Sequence, residues 1–217
     1  MKQSAVIELC MRQGSAQLLA QELGASRPSL YNWKNQLLGH DVSATDRQWL
    51  TPFVGGSYQF LDNGARLLDA RVMFFYAATG ITPAMSESRP GTGSAYAFAA
   101  RDANAAYLDG SRTYKVTLAG PVPAKDFWSF TVYDNQTRSL LATDQKLAGI
   151  DSTLPGIKKN PDGGATIWFG PKAPAGEEKN WVQTVPGKGY NVLLRLYGPL
   201  EPWFNQSWRP SDFELQP

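Results

Sequence analysis

Arg27 and Asn32 carry the two side-chain types that read base edges most directly, a guanidinium for guanine and a carboxamide for adenine. Ser26, Tyr31 and Asn35 add outward polar groups beside them, and Lys34 a cation suited to phosphate. Beyond residue 40 the chemistry changes. Asp126, Asp134, Asp144, Asp151, Glu201 and Asp212 are the carboxylates from which a glycosidase-type pair could be drawn, which needs two carboxyls about 5–10 Å apart. The competing reading of these six is turn and surface carboxylates. Trp181, Trp203 and Trp208, with Phe204 and Arg209, could line a groove for a sugar or an aromatic ligand, against the plainer reading of core and sheet-edge packing.

Other chemistries are excluded by residue type. The single cysteine is Cys10 and the single histidine is His40, so residues 41–217 contain neither. A Ser-His-Asp or Cys-His nucleophile cannot be assembled there, nor a His/Cys zinc site. One cysteine allows no internal disulfide. Gly55-Gly56 and the 86–94 loop lack the lysine and following helix of a phosphate cradle. No metal and no cofactor is expected, and an enzyme is the less favoured reading.

The elements that must position the base-reading residues are short helices. Ser4 can cap a first helix with Val6, Leu9 and Cys10 on one face. Ser15 can cap a second, with Ala16, Leu19, Ala20 and Leu23 as its inward stripe. Gly24 supplies the turn, Pro28 suits the first turn of a third helix, and Leu30, Trp33 and Leu37 close that helix onto the second. A small residue at the helix crossing and a glycine four positions later are the spacing of a helix-turn-helix. Its third helix would enter the major groove. One such module makes few phosphate contacts, so a homo-oligomer is expected if DNA is the partner.

Charge and aromatic content divide at the same place. Residues 1–40 carry Lys2, Arg12, Arg27 and Lys34 against Glu8 and Glu22, which holds the whole net charge of +2. Of the aromatic residues only Tyr31 and Trp33 precede residue 40. No apolar run approaches the roughly 18 residues of a membrane span, and Glu8, Arg12 and Gln13 interrupt any secretory apolar core. A cytoplasmic location is expected from the sequence as written.

The rest reads as strands. Asp62 or Asn63 can cap a helix running to about Thr79, with Leu68, Val72, Phe75, Tyr76 and Thr79 as its buried stripe. Alternation then places Tyr114, Val116 and Leu118 on one face, and likewise Trp128, Phe130 and Val132; Ala165, Ile167 and Phe169; and Tyr190, Val192, Leu194 and Leu196. Gly120-Pro121, Pro161-Asp162-Gly163, Gly170-Pro171 and Pro186-Gly187 punctuate these runs. A helical turn is expected at 199–205 and a last strand at 212–215. The fold class expected is mainly β, an antiparallel sandwich with a preceding helix and a small N-terminal all-α helix-turn-helix. The divisions expected are 1–39, a 40–60 linker, a 61–99 helix and loop, and a 100–217 sandwich.

The segment "LAQELGASRPSLYNWKNQLLG" resembles the N-terminal part of the OrfA protein of bacterial insertion sequences, which implies recognition of transposon ends. The zipper and acidic catalytic domain of that family do not follow. "DARVMFFYAATGITPAM", "TVYDNQTRSLLATDQ" and "WFGPKAPAGEEKNWVQTVPGKGYNVLLRLYGPLEPWFNQSWRPSDFEL" resemble the C-terminal half of a bacterial family built from domains of unknown function 1254 and 1214. That resemblance covers roughly 49–216. It implies a jelly-roll-like sandwich, frequent export of full-length relatives, and an N-terminal domain lacking here, which would leave an apolar patch on the 65–79 helix. It carries over no catalytic residue. The whole is therefore expected to be a truncated sandwich protein fused to a transposase-type DNA-binding segment, without enzymatic activity. Two alternatives stand beside it: a sequence-specific DNA-binding protein acting through the helix-turn-helix, and a carbohydrate-binding or carboxylate-based hydrolase module.

Overall fold

Alternating apolar residues dominate the part of the chain that the computed structural model describes, residues 47–53, 58–62, 65–78, 80–86 and 89–217. The expected helix-turn-helix lies outside the described residues. The chain divides into two units, a smaller one holding described residues between 51 and 83 and a larger one holding 47–50 and 84–217.

In the smaller unit, β1 (Leu61–Asp62) and β2 (Ala65–Arg66) form a two-rung hairpin, and α1 spans Leu68–Ala77. Its start is fixed by the backbone, Leu67 N donating to Phe60 O at 2.7 Å, and no side chain caps it. The expected inward stripe is corrected here. Leu68, Val72 and Phe75 are 59%, 57% and 42% exposed, whereas Ala70 and Phe74 are buried. The segment LDARVMFFYA is apolar on more than one side, so periodicity alone leaves two stripes open. Aromatic partners decide between them. Phe53 and Phe60 each bring a ring to 5.4 Å from that of Phe74, and Ala70, one turn earlier, leaves room for the approach. The outward stripe of Leu68, Val72 and Phe75 matches the apolar patch expected on this helix. A short helix, α2 (Pro83–Ser86), follows.

The larger unit is a sandwich of two four-stranded sheets. One has the order β10-β4-β7-β8 and the other β3-β9-β5-β6. The strands are β3 (Ser94–Ala99), β4 (Tyr114–Leu118), β5 (Ala124–Asp134), β6 (Gly149–Asp151), β7 (Ala165–Gly170), β8 (Trp181–Gln183), β9 (Tyr190–Pro199) and β10 (Glu214–Leu215). The inward sets expected on β4, β5, β7 and β9 are the buried ones. Alanines 95, 97 and 99 keep β3 thin against this core, and aromatic rings join the sheets. Phe130 of β5 meets Phe169 of β7 edge-on at 5.5 Å.

Three features lie beyond the alternation. Trp49 and Leu50, within the expected linker, belong to the sandwich. Trp49 is core, and Leu50 exchanges backbone hydrogen bonds with Phe98 at 2.7 and 2.8 Å. β3 precedes the expected sandwich start at 100 yet pairs along its whole length with β9. β8 lies parallel to β7, the other strand pairs of these two sheets being antiparallel. The ten-residue passage 171–180 makes that crossover, ending in a 3₁₀ turn (Glu178–Asn180).

Candidate functional site

Trp203, Trp208 and Arg209, the groove candidates, meet at one rim of the sandwich, joined by Arg47, Trp49, Ala97, Gln206 and Pro210 around a cavity of about 20 Å³. A four-residue helix, α3 (Glu201–Phe204), presents Trp203. The backbone then doubles back through Gln206 at φ +59°, and Trp208 N donates to Pro202 O at 3.0 Å. Both indoles beneath are anchored by their N–H groups. Trp208 Nε1 donates to Ala119 O at 2.7 Å and Trp49 Nε1 to Ser211 O at 2.8 Å. The Trp203 and Trp208 rings stand 6.3 Å apart, and Arg209 Nε donates to Gln206 O at 3.2 Å.

Size limits what this notch can do. A volume of about 20 Å³ admits one water-sized group, far below the roughly 300–1,000 Å³ of sites that enclose a small organic ligand. Its floor is core, since Trp208 and Trp49 are buried. Phe204 ends α3 and does not line the cavity, and Trp181 stands elsewhere, on β8 of the opposite sheet, where its Nε1 donates to Gly170 O at 2.9 Å. Arg47 and Trp49 carry no signal in the sequence pattern, because they precede the first recognisable strand.

Four of the six candidate carboxylates hold hydrogen-bonded partners. Asp134, buried at the end of β5, accepts from Gln136 N at 2.7 Å, from Thr137 N at 3.2 Å and from Lys188 Nζ at 2.5 Å. Asp144 holds Gln183 through Nε2 at 2.9 Å, Asp151 Oδ1 accepts from Thr153 N at 2.8 Å, and Asp212 Oδ1 accepts from Gln48 N at 2.8 Å. Asp126 packs against Gly198, and Glu201 is the exposed first residue of α3. Among the described residues, no three His, Cys, Asp or Glu side chains gather as a metal site. No described helix is long and apolar enough to cross a membrane.

The titration directions agree with these roles. The Lys188 ammonium holds Asp134 below its ordinary value near 3.8, helped by the two amides and opposed by burial. Amides of Gly120 and Gly164 lower Asp162 likewise. Burial raises the Tyr114 phenol and pushes that of Tyr190 well above its ordinary range.

Asp134 gives a prediction with a defined sign. A depressed carboxyl contributes stability that is complete above its unfolded value and lost as pH falls through the native one. Asp134→Asn is expected to cost about 1–2 kcal/mol at pH 7, the partly exposed ammonium reducing the pair's share. The difference from the unsubstituted protein should shrink as pH is lowered below about 4. Urea titrations at pH 7 and pH 3 check this, and a pH-independent difference would contradict it.

The DNA candidates Ser26, Arg27, Tyr31, Asn32, Lys34 and Asn35 lie outside the described residues. Similarity speaks to that segment. The N-terminal 38 residues are 58% identical to a Shigella flexneri protein described as "Probable transposase for insertion sequence element IS1353". They are 18% of this chain and 7% of that protein, so the chain spans a small fraction of the transposase it matches. Over most of its length the fold is similar to that in the crystal structure of the VPA0106 protein from Vibrio parahaemolyticus. That match has a TM-score of 0.53 at 20% identity, covering 71% of this chain and 36% of that one. The model of a family described as "Protein of unknown function (DUF1214)" matches residues 93–201, from the start of β3 into α3. That stretch is half of the sequence and all but the last strand of the sandwich, and on it the chain belongs to the DUF1214 family.

Proposed function

We propose that this chain is a DNA-contacting protein whose β-sandwich is a non-catalytic body. The observation that carries the first part is the 58% identity of the N-terminal segment to a transposase. That segment also holds the net positive charge and the base-reading pair Arg27 and Asn32. Support for the second part is chemical. Residues 41–217 offer no His or Cys, and the buried Asp134 carboxylate is tied to Lys188 and two amides. In this reading the third helix lies in the major groove, Arg27 and Asn32 meet bases, Lys34 meets phosphate, and two copies bind two half-sites. In this reading the sandwich is a passive body attached to the DNA-contacting segment.

A gel-shift assay with insertion-element ends, at about 50 and 200 mM salt, tests it. The full chain is expected to bind, more weakly at the higher salt. Arg27→Ala and Asn32→Ala should each cost about 1–3 kcal/mol, roughly five- to 150-fold in affinity. Binding that ignores both substitutions, or no binding at the lower salt, would overturn the proposal.

A further inference from the structure

The outer face of the sheet β10-β4-β7-β8 carries one row that crosses all four strands. Glu214, Lys115, Trp168 and Trp181 occupy matched register positions, each partnered with the next. On β4, β7 and β8 the residues of the inner face are buried, and these four are half-buried. Lys115 Nζ lies 3.3 Å from Glu214 Oε2, so the two charges in the row neutralise each other. Two indoles are left side by side on a solvent-facing sheet. Neither belongs to the buried core, and neither pairs with another ring among the described residues.

The setting of Trp181 makes it a platform. Its Nε1 donates to Gly170 O, across the strand pair and two residues beyond Trp168. The indole is thereby laid toward Gly170, itself without a side chain. Its N–H is satisfied, and the residue as a whole is half-buried. Hydroxyls and amides occupy neighbouring positions of the same sheet. Thr117 and Thr166 Oγ1 atoms are 3.3 Å apart, with Asn160 Nδ2 3.3 Å from Thr166 Oγ1. Gln183 is fixed by Asp144 at 2.9 Å beyond Trp181.

We propose that this face binds a neutral glycan, with sugar rings stacked on Trp181 and Trp168 and their hydroxyls met by the Thr, Asn and Gln groups. A pyranose has an apolar C–H face and a rim of hydroxyls that both donate and accept. The indoles bury the first, and side-chain hydroxyls and amides can play either part toward the second. A wholly apolar partner would strand those amides and hydroxyls without water. A strongly charged partner would meet a face whose own ion pair cancels. The proposal is independent of the DNA contact, which it neither needs nor supports.

The test is affinity gel electrophoresis of the full chain through gels containing xylan, mixed-linkage β-glucan, mannan or dextran, with heparin as the anionic arm. At least one neutral polysaccharide should retard the protein. Trp168→Ala and Trp181→Ala should each weaken that retardation about tenfold, while Trp181→Phe keeps most of it. Thermal melts show which variants fold, and Gln183→Ala replaces any that does not. No retardation by any neutral polysaccharide would overturn the proposal. So would retardation by heparin alone, or alanine variants that are retarded like the parent.

Discussion

Asn180→Asp is expected to destabilise the protein by about 3–5 kcal/mol at pH 7, although the two side chains have nearly the same shape. Asn180 is 2% exposed and uses both ends of its amide. Nδ2 donates to Lys158 O and to Thr166 O, each at 2.9 Å, and Oδ1 accepts from Lys158 N at 2.7 Å. One residue thus ties the 156–160 loop to β7 at the point where the crossover ends and β8 begins. An aspartate keeps the acceptor but loses both donors, and turns a carboxylate toward the carbonyl oxygens of Lys158 and Thr166. Each stranded polar group costs about 1–3 kcal/mol, and the uncompensated charge more. Asn180→Ala, which strands the carbonyls without adding a charge, should cost less.

The pH dependence separates the two causes. Burial beside carbonyls raises the folded-state pKa of the introduced carboxyl. Its neutral form is favoured, so the loss is smallest below the unfolded value near 4 and grows as pH rises toward 7. For a domain of this size the loss at pH 7 corresponds to a melting point lowered by roughly 10 °C. A variant that melts within about 2 °C of the parent at pH 7 would show that Asn180 is not a clamp. Because β8 carries Trp181, the same substitution should also weaken whatever the outer face of that sheet binds.

Period-two patterning made the core legible wherever a strand was long. Tyr190, Val192, Leu194 and Leu196 alternate over most of β9, and all four are fully buried. The same pattern fails for β6 and β8, three residues each, because three residues cannot display a period. It also gives no direction of pairing. The parallel approach of β8 to β7 depends on the crossover and on Asn180, a contact made across the fold. On α1 the pattern was present but ambiguous, and Phe53 and Phe60, distant in the pattern, chose Phe74 over Leu68 and Val72. Trp168 was within reach of sequence reasoning: placing Ala165, Ile167 and Phe169 inward places Trp168 outward. The rim notch was half legible, since Trp203, Trp208 and Arg209 are close in sequence while Arg47 and Trp49 reach them only through the fold.

Phe130→Ala should be the most damaging large-to-small change in the sandwich, at about 3–5 kcal/mol. Phe130 is 1% exposed, and its ring stands 5.5 Å from Phe169, 5.8 Å from Trp128 and 6.3 Å from Trp49. Phe169 in turn lies 4.9 Å from Phe213. These rings span the gap between the sheets, and the neighbours of Phe130 are anchored. Trp49 is pinned through its indole N–H to Ser211 O, and Phe169 is held between strands, registered with Tyr114 of β4 on one side and Val182 of β8 on the other. Anchored walls collapse poorly into a void, which places the cost at the upper end of the range for such truncations. The test is a double-mutant cycle by urea denaturation on Phe130→Ala, Phe169→Ala and the pair. The double variant should be less unstable than the two single losses added, by about 0.5–1.5 kcal/mol, the share of the edge-on ring contact itself. Strict additivity would mean that each ring is held by its own sheet and that the contact across the sandwich carries nothing. The core would then be two half-cores in apposition, and the short strands β6, β8 and β10 would have to be held by their backbone ladders and loop clamps alone.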